Sequence, residues 1–142
     1  MKKTLIVIDM QNDFIDGSLG TDAAVKIMPK IEEYRSNGDE IIFTRDTHGE
    51  DYLSTPEGKK LPVVHCVKNT HGWQIADGLD VPDAIHIDKP SFGYTHWDKF
   101  CFEKIELVGL CTDICVVSNA LILKALFPNA EISVDSACCA GV

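Results

Sequence analysis

The run Thr4-Leu-Ile-Val-Ile8, closed by Asp9, narrows the possible folds more than any other stretch of this chain. A half-buried strand would alternate apolar and polar positions. A run without alternation is expected of a central parallel strand buried on both faces, and parallel sheets need helices to cover them. Glu40 to Thr44 reads as a second strand, Ala84 to Ile87 as a third, Glu103 to Gly109 as a fourth and Glu131 to Asp135 as a fifth. Between the first two, Ala23 to Tyr34 has helical spacing with Val25, Ile27 and Ile31 available for packing, and Asn37-Gly38 to end it. Pro29 in its middle predicts a kink or two shorter pieces. Strand, helix, strand implies a right-handed parallel crossover. No linker, repeat or second core is legible, and 142 residues with 45% hydrophobic content suit one α/β domain spanning 1–142.

The densest chemistry lies in Val108 to Val117. Ile105 to Gly109 is an apolar run of strand length, Gly109 permits an unusual backbone, and Thr112 or Asp113 can cap a helix that Val116 to Leu126 continues. Cys115 then falls in the first helical turn. Unpaired N–H groups and the positive end of the helix dipole favour thiolate there, and the same N–H groups could hold an oxyanion. The plainer reading makes Cys115 a small apolar residue packed under a helix.

Asp9 stands at the carboxyl end of the first strand, where open α/β sheets place their ligands; a turn or capping aspartate is the alternative. Lys89, after the third strand, would share that sheet edge, lower the pKa of a neighbouring thiol and stabilise a carboxylate. Otherwise it is an exposed strand-end lysine. Phe14 offers an aromatic face to a planar ligand or plugs the core. Phe92-Gly93-Tyr94 and Trp97 read as a pocket wall or an oligomer contact. From Arg45 the chain enters a long irregular stretch reaching Leu79, a length that is usually functional or disordered. Asp46, His48 and His65 within it supply one carboxylate and two imidazoles, a set suited to Zn²⁺ or Fe²⁺, although five histidines also produce such triplets by chance.

A net charge of −9, with thirteen scattered basic residues, argues against nucleic acid or an anionic membrane as partner and favours a small molecule. The N-terminal apolar run meets Asp9 after only five residues, so no signal peptide is expected, and no run is long enough to cross a membrane. Six cysteines in such a chain read as reduced thiols in a cytoplasmic protein.

Three separated pieces, Val7-Ile-Asp-Met-Gln-Asn-Asp-Phe14, Asp88-Lys-Pro-Ser-Phe-Gly93 and Gly109-Leu-Cys-Thr-Asp-Ile-Cys115, taken together resemble the isochorismatase-like cysteine hydrolases, and within them the nicotinamidases. The resemblance covers nearly the whole chain. It implies a three-layer α/β/α sandwich with a mostly parallel, Rossmann-like sheet, and a catalytic triad of Asp9, Lys89 and Cys115. It also implies an oxyanion hole from the N–H groups of Cys111 and Cys115, with a cis peptide between Leu110 and Cys111. Asp46, His48 and His65 match positions that bind a divalent metal, Zn with Fe or Mn as alternatives, whereas His71, His86 and His96 match none. Phe14 and Tyr94 are the expected substrate contacts. The implied reaction is hydrolysis of a small carboxamide, nicotinamide first, through a cysteine thioester.

Two departures stand out. Many nicotinamidases carry a tryptophan three residues before the last metal histidine, where this chain has Pro62, with Trp73 the nearest other indole in sequence. Relatives also continue beyond the equivalent of Val142, so exposed apolar surface, low stability or a homo-oligomer is expected. The alternatives are another hydrolase of the family, acting on a different amide or an isochorismate-like enol ether without metal, and a non-catalytic binding or redox protein. A cysteine phosphatase is set aside, because no cysteine is followed by arginine six residues on.

Overall fold

A computed structural model describes residues 2–35 and 39–141. Five strands, β1 (Lys3–Ile8), β2 (Glu40–Asp46), β3 (Ile85–Lys89), β4 (Lys104–Leu110) and β5 (Glu131–Ala140), form one sheet in the order β3-β2-β1-β4-β5. Every pairing is parallel. The apolar run of β1 therefore lies at the centre, and its side chains divide between two cores. Leu5 and Val7 pack with Ala24, Ile27 and Ile31 on one face, and Ile6 and Ile8 pack with Val116 and Leu123 on the other. This is the three-layer α/β/α arrangement: after the short helix α1 (Asn12–Ile15), α2 (Asp22–Arg35) covers one side of the sheet, and α4 (Val117–Leu126) covers the other.

Pro29 does not divide α2, which runs unbroken through it. The proline and the residue four before it, Val25, are both exposed, so the carbonyl that loses its helical partner can be hydrated. Val25 is accordingly not a packing residue. The expected stop at Asn37-Gly38 lies outside the described residues. The stretch after β2 is also less irregular than expected. It holds a 3₁₀ turn (Tyr52–Ser54), the short helix α3 (Pro56–Lys60) and a second 3₁₀ turn (His71–Trp73). Isolated bridges pair His48 with Val67 and Gln11 with Ile75.

β4 ends in a conformation that only glycine accepts easily. Gly109 has φ +118, and a Cβ there would come within 2.2 Å of the Ile8 carbonyl oxygen, so β1 and β4 close up just where their ends carry Asp9 and the cysteine turn. The register of β5 against β4 shifts at the same point. The Leu110–Cys111 peptide is cis.

Half of the β5 residues are exposed, Val134 included, and Val117, Leu121 and Leu126 leave apolar surface on the outer face of α4. No described helix is long and apolar enough to cross a membrane, and all six cysteines are free thiols.

Candidate active site

Asp9 leaves β1 with φ 50, a backbone conformation uncommon outside glycine, and its side chain is 1% exposed. Two partners hold it. The Thr44 hydroxyl of β2 donates to Oδ1 at 2.7 Å, and the Lys89 ammonium donates to Oδ2 at 2.7 Å. Lys89 is wholly buried and also donates to the Ser91 carbonyl at 3.2 Å, so it is not the exposed strand-end residue its plainer reading allowed. Burial raises the Asp9 pKa, and Lys89 and Thr44 oppose that rise without cancelling it. Burial also works against the Lys89 charge, but the Asp9 carboxylate, with Asp46 adding to it, outweighs burial and holds the ammonium above its ordinary pKa.

Cys115, in the turn after β4, meets the same group through a hydrogen bond with Asp9. The turn that carries it, Thr112–Val116, is a π-helix rather than the start of an ordinary α-helix. Its cap position is Cys111, without a side-chain cap bond, where Thr112 or Asp113 was expected. The expected bias toward thiolate is also reversed. Burial pushes the Cys115 thiol up, the adjacent hydrogen-bonded Asp9 carboxylate adds to this, and Lys89 only partly offsets it. Cys115 rests as a thiol beside a buried carboxylate.

Asp46, at the end of β2, has His48 Nε2 at 2.9 Å and His65 Nε2 at 3.4 Å from its Oδ2. The fourth member of this cluster, Glu57, has no counterpart among the sequence-derived residues. Its Oε2 lies 3.3 Å from His48 Nε2 and 3.9 Å from His65 Nε2, and all four donor atoms fall within 4.8 Å of one another. The sequence did carry a local signal: Thr55-Pro56-Glu57 is a cap, a first-turn proline and a first-turn acid, and the Thr55 hydroxyl accepts from the Gly58 N–H. Gly58 lets α3 lie directly on the Tyr52 carbonyl, 1.9 Å from where a Cβ would sit, and so brings Glu57 to the histidines.

The donor set fits a divalent ion. Asp46 Oδ1 is buried without a hydrogen-bond partner, so a lone pair is available to an ion. Despite burial, which raises it, His48 and His65 hold the Asp46 pKa at about 2, so the carboxylate is charged. His65 Nδ1 donates to the Val63 carbonyl at 2.7 Å, which leaves the Nε2 lone pair directed at the cluster. The Tyr52 ring packs edge-on against both imidazoles.

Two residues of the first motif have positioning roles that its sequence did not disclose. Gln11, fully buried, pairs with the Asp46 backbone in both directions, at 2.8 Å to the N–H and 2.9 Å to the carbonyl. Asp13 accepts from the Cys66 N–H at 2.8 Å and so holds the backbone next to His65.

A cavity of about 290 Å³, at the small end for ligand pockets, joins the two clusters. Asp46, Glu57 and His65 line one side, Cys111, Ile114 and Cys115 the other, and Phe14, Leu19, Leu61 and Phe92 make its walls apolar. Phe14 is where the sequence placed it. Tyr94 is not in this wall; its nearly buried ring packs edge-on against Trp97 in the core, and Phe92 lines the cavity instead. Trp73 does not fill the place left by Pro62. It lies under the Arg45 guanidinium at 4.0 Å, donates to Thr47 Oγ1, and is absent from the cavity wall. His86 stacks on Phe43 and bonds Asp80, His96 packs against Tyr94, and His71 is exposed, all away from the donor cluster.

A buried aspartate, lysine and cysteine at the carboxyl edge of a parallel sheet define a class, and comparison with known sequences agrees: the isochorismatase domain matches residues 3–142, so the chain belongs to the isochorismatase family. Among its relatives, the nicotinamidase of Saccharomyces cerevisiae is 35% identical over 187 aligned positions, covering 94% of this chain and 86% of that protein. The nicotinamidase/pyrazinamidase of Mycobacterium tuberculosis is 25% identical over 166, covering 94% and 89%. Among solved structures, the pyrazinamidase of Pyrococcus horikoshii in complex with zinc superposes with a TM-score of 0.82 at 30% identity, covering all of this chain and 88% of that one.

Proposed function

We propose that this chain is a single-domain amidohydrolase that converts nicotinamide to nicotinate and ammonia through a thioester on Cys115. The observation that carries the proposal is one apolar cavity lined both by the Cys115 thiol, which the buried Asp9–Lys89 pair adjoins, and by Asp46, Glu57 and His65 of a metal-type donor set. Asp9 accepts the Cys115 proton as sulfur attacks the carboxamide carbon, a role suited to a carboxylate whose pKa is raised by burial. The N–H groups of Cys111 and Cys115 receive the oxyanion. Asp9 returns the proton to the departing nitrogen, the C–N bond breaks and ammonia leaves. Water then attacks the thioester with Asp9 accepting its proton, and the acid and free thiol are released. Lys89 keeps Asp9 in place and balances its charge.

Asp46, His48, Glu57 and His65 would hold a divalent cation, zinc by analogy with the Pyrococcus enzyme. Bound there, the ion supplies a Lewis-acidic anchor for the pyridine nitrogen, orienting the ring rather than activating the nucleophile. Phe14, Leu19, Leu61 and Phe92 sandwich the ring in place of the missing tryptophan.

Release of ammonia from nicotinamide, followed against a Cys115→Ala control, tests the assignment, and its absence from folded, metal-loaded protein would refute it. Chelation is expected to raise KM about tenfold or more while iodoacetamide still labels Cys115 stoichiometrically. Unchanged KM in protein that elemental analysis shows to be metal-free would remove the anchoring role.

A further inference from the structure

Asn119 lies on α4, one turn past Cys115, and is completely buried. Its amide makes all four of the hydrogen bonds such a group can make. Oδ1 accepts from the Tyr94 N–H at 2.8 Å and from the Trp97 indole N–H at 3.1 Å. Nδ2 donates to the Phe92 carbonyl at 3.0 Å and to the Cys115 carbonyl at 2.8 Å. The orientation of the amide is fixed by these partners, since both groups at the oxygen are donors and both at the nitrogen are acceptors.

Three of the four bonds go to the segment 92–97, and the fourth goes to the carbonyl of the nucleophile itself. That segment is otherwise an irregular connection between β3 and a 3₁₀ turn, and Phe92, its contribution to the cavity, is 42% exposed. The ring of Phe92 is thus a wall with little packing behind it, whose backbone is tied to the thiol turn through one side chain.

We infer that Asn119 is a positioning residue that sets the width of the substrate cavity at Cys115 by locking the Phe92 wall to the nucleophile turn. This rests on the reading of the cavity as the substrate site. Asn119 touches neither substrate nor the reacting atoms. Its loss should admit larger acyl groups and weaken the grip on a small planar amide while leaving the thiol, Asp9 and Lys89 intact.

The test compares wild type, Asn119→Ser, Phe92→Ala and the double variant with two readouts. The first is the ratio of Cys115 labelling rates by a bulky N-aryl maleimide and by iodoacetamide, which needs no substrate. The second is KM against kcat for nicotinamide. Asn119→Ser is expected to raise the labelling ratio and KM by about fivefold to tenfold, the scale of one or two lost hydrogen bonds, with kcat within about threefold of wild type. Phe92→Ala should raise the ratio similarly, and adding Asn119→Ser to it should change little, because both act on one wall. An unchanged ratio in folded Asn119→Ser, or full additivity in the double variant, overturns the inference. Should Asn119→Ser not fold, Phe92→Ala still decides, since an unchanged ratio there removes the wall on which the inference depends. Absence of nicotinamide hydrolysis in wild type would refute the substrate assignment alone, and the labelling ratio would still read the clamp.

Discussion

Cys115→Ala is expected to reduce amide hydrolysis by about 10⁴-fold or more, since it removes the thiol that is hydrogen-bonded to Asp9. Asp9→Asn should bring turnover nearly as low, by roughly 10²–10⁴-fold for the lost proton shuttle. The two variants differ in what they do to the thiol. The Asp9 carboxylate raises the Cys115 pKa, so neutralising it should lower that pKa and make Cys115 alkylate faster near neutral pH, although the enzyme is inactive. In wild type, burial and Asp9 together keep the thiol protonated, and alkylation should keep rising with pH beyond the point where an ordinary cysteine, at pKa about 8.5, has levelled off. Wild-type amidase activity in Cys115→Ala would end the thioester mechanism. An alkylation profile in Asp9→Asn displaced to higher pH would show that Asp9 does not act on the thiol as described.

Lys89→Met is expected to be the most destabilising of the conservative changes near the site. It removes one partner of an ion pair whose members are 0% and 1% exposed and 2.7 Å apart, leaving the Asp9 carboxylate buried with the Thr44 hydroxyl and the weakly donating Cys115 thiol in place of a cation. Breaking such a pair from one side costs about 3–5 kcal/mol, which for a domain of this size is a fall in Tm of roughly 10–17 °C. Removing both charges, as Lys89→Met with Asp9→Asn, should restore much of that stability without restoring activity. The same single variant withdraws the positive charge that partly lowers the Cys115 pKa, so its alkylation profile should move to higher pH. A Lys89→Met protein that melts with wild type would mean that the pair contributes little, and an unmoved alkylation profile would take Lys89 away from the thiol.

The fold was legible where one physical demand dominated. A run such as Thr4 to Ile8 has no polar side to turn outward, so its place in the middle of a parallel sheet follows from burial alone. Asp9, Lys89 and Cys115 were legible through the resemblance together with their places at element ends, and Asp46, His48 and His65 through the same resemblance. What the sequence hid was set by contacts between distant segments. Glu57 sits on a helix of five residues whose pattern is too short to register, and it reaches the histidines only because Gly58 rests on Tyr52. The charge state of Cys115 was misjudged because a helix-start argument counts nearby N–H groups and not the buried carboxylate that arrives from β1. Of the two aromatics read together as a pocket wall, Phe92 lines the cavity and Tyr94 does not, for a similar reason: they cannot be ranked until Asn119 shows which way the segment is tied.

The order of the strands has a consequence for how the chain is made. β1 leaves the ribosome first, yet one of its edges is completed only by β4, about a hundred residues later. At roughly 5–20 residues per second, a strand of Leu, Ile and Val waits for several seconds with that edge unpaired. β2 and β3 can pair in sequence beside it, but the thiol turn and the second core have no partner until Lys104 to Leu110 arrive. The site is therefore assembled by the last long-range closure of the sheet and not by any local unit. A chain ending at residue 100 is expected to aggregate or to be digested through β1, whereas the full chain resists. Strong amide protection of residues 4–8 in such a shortened chain would show that the first half folds alone.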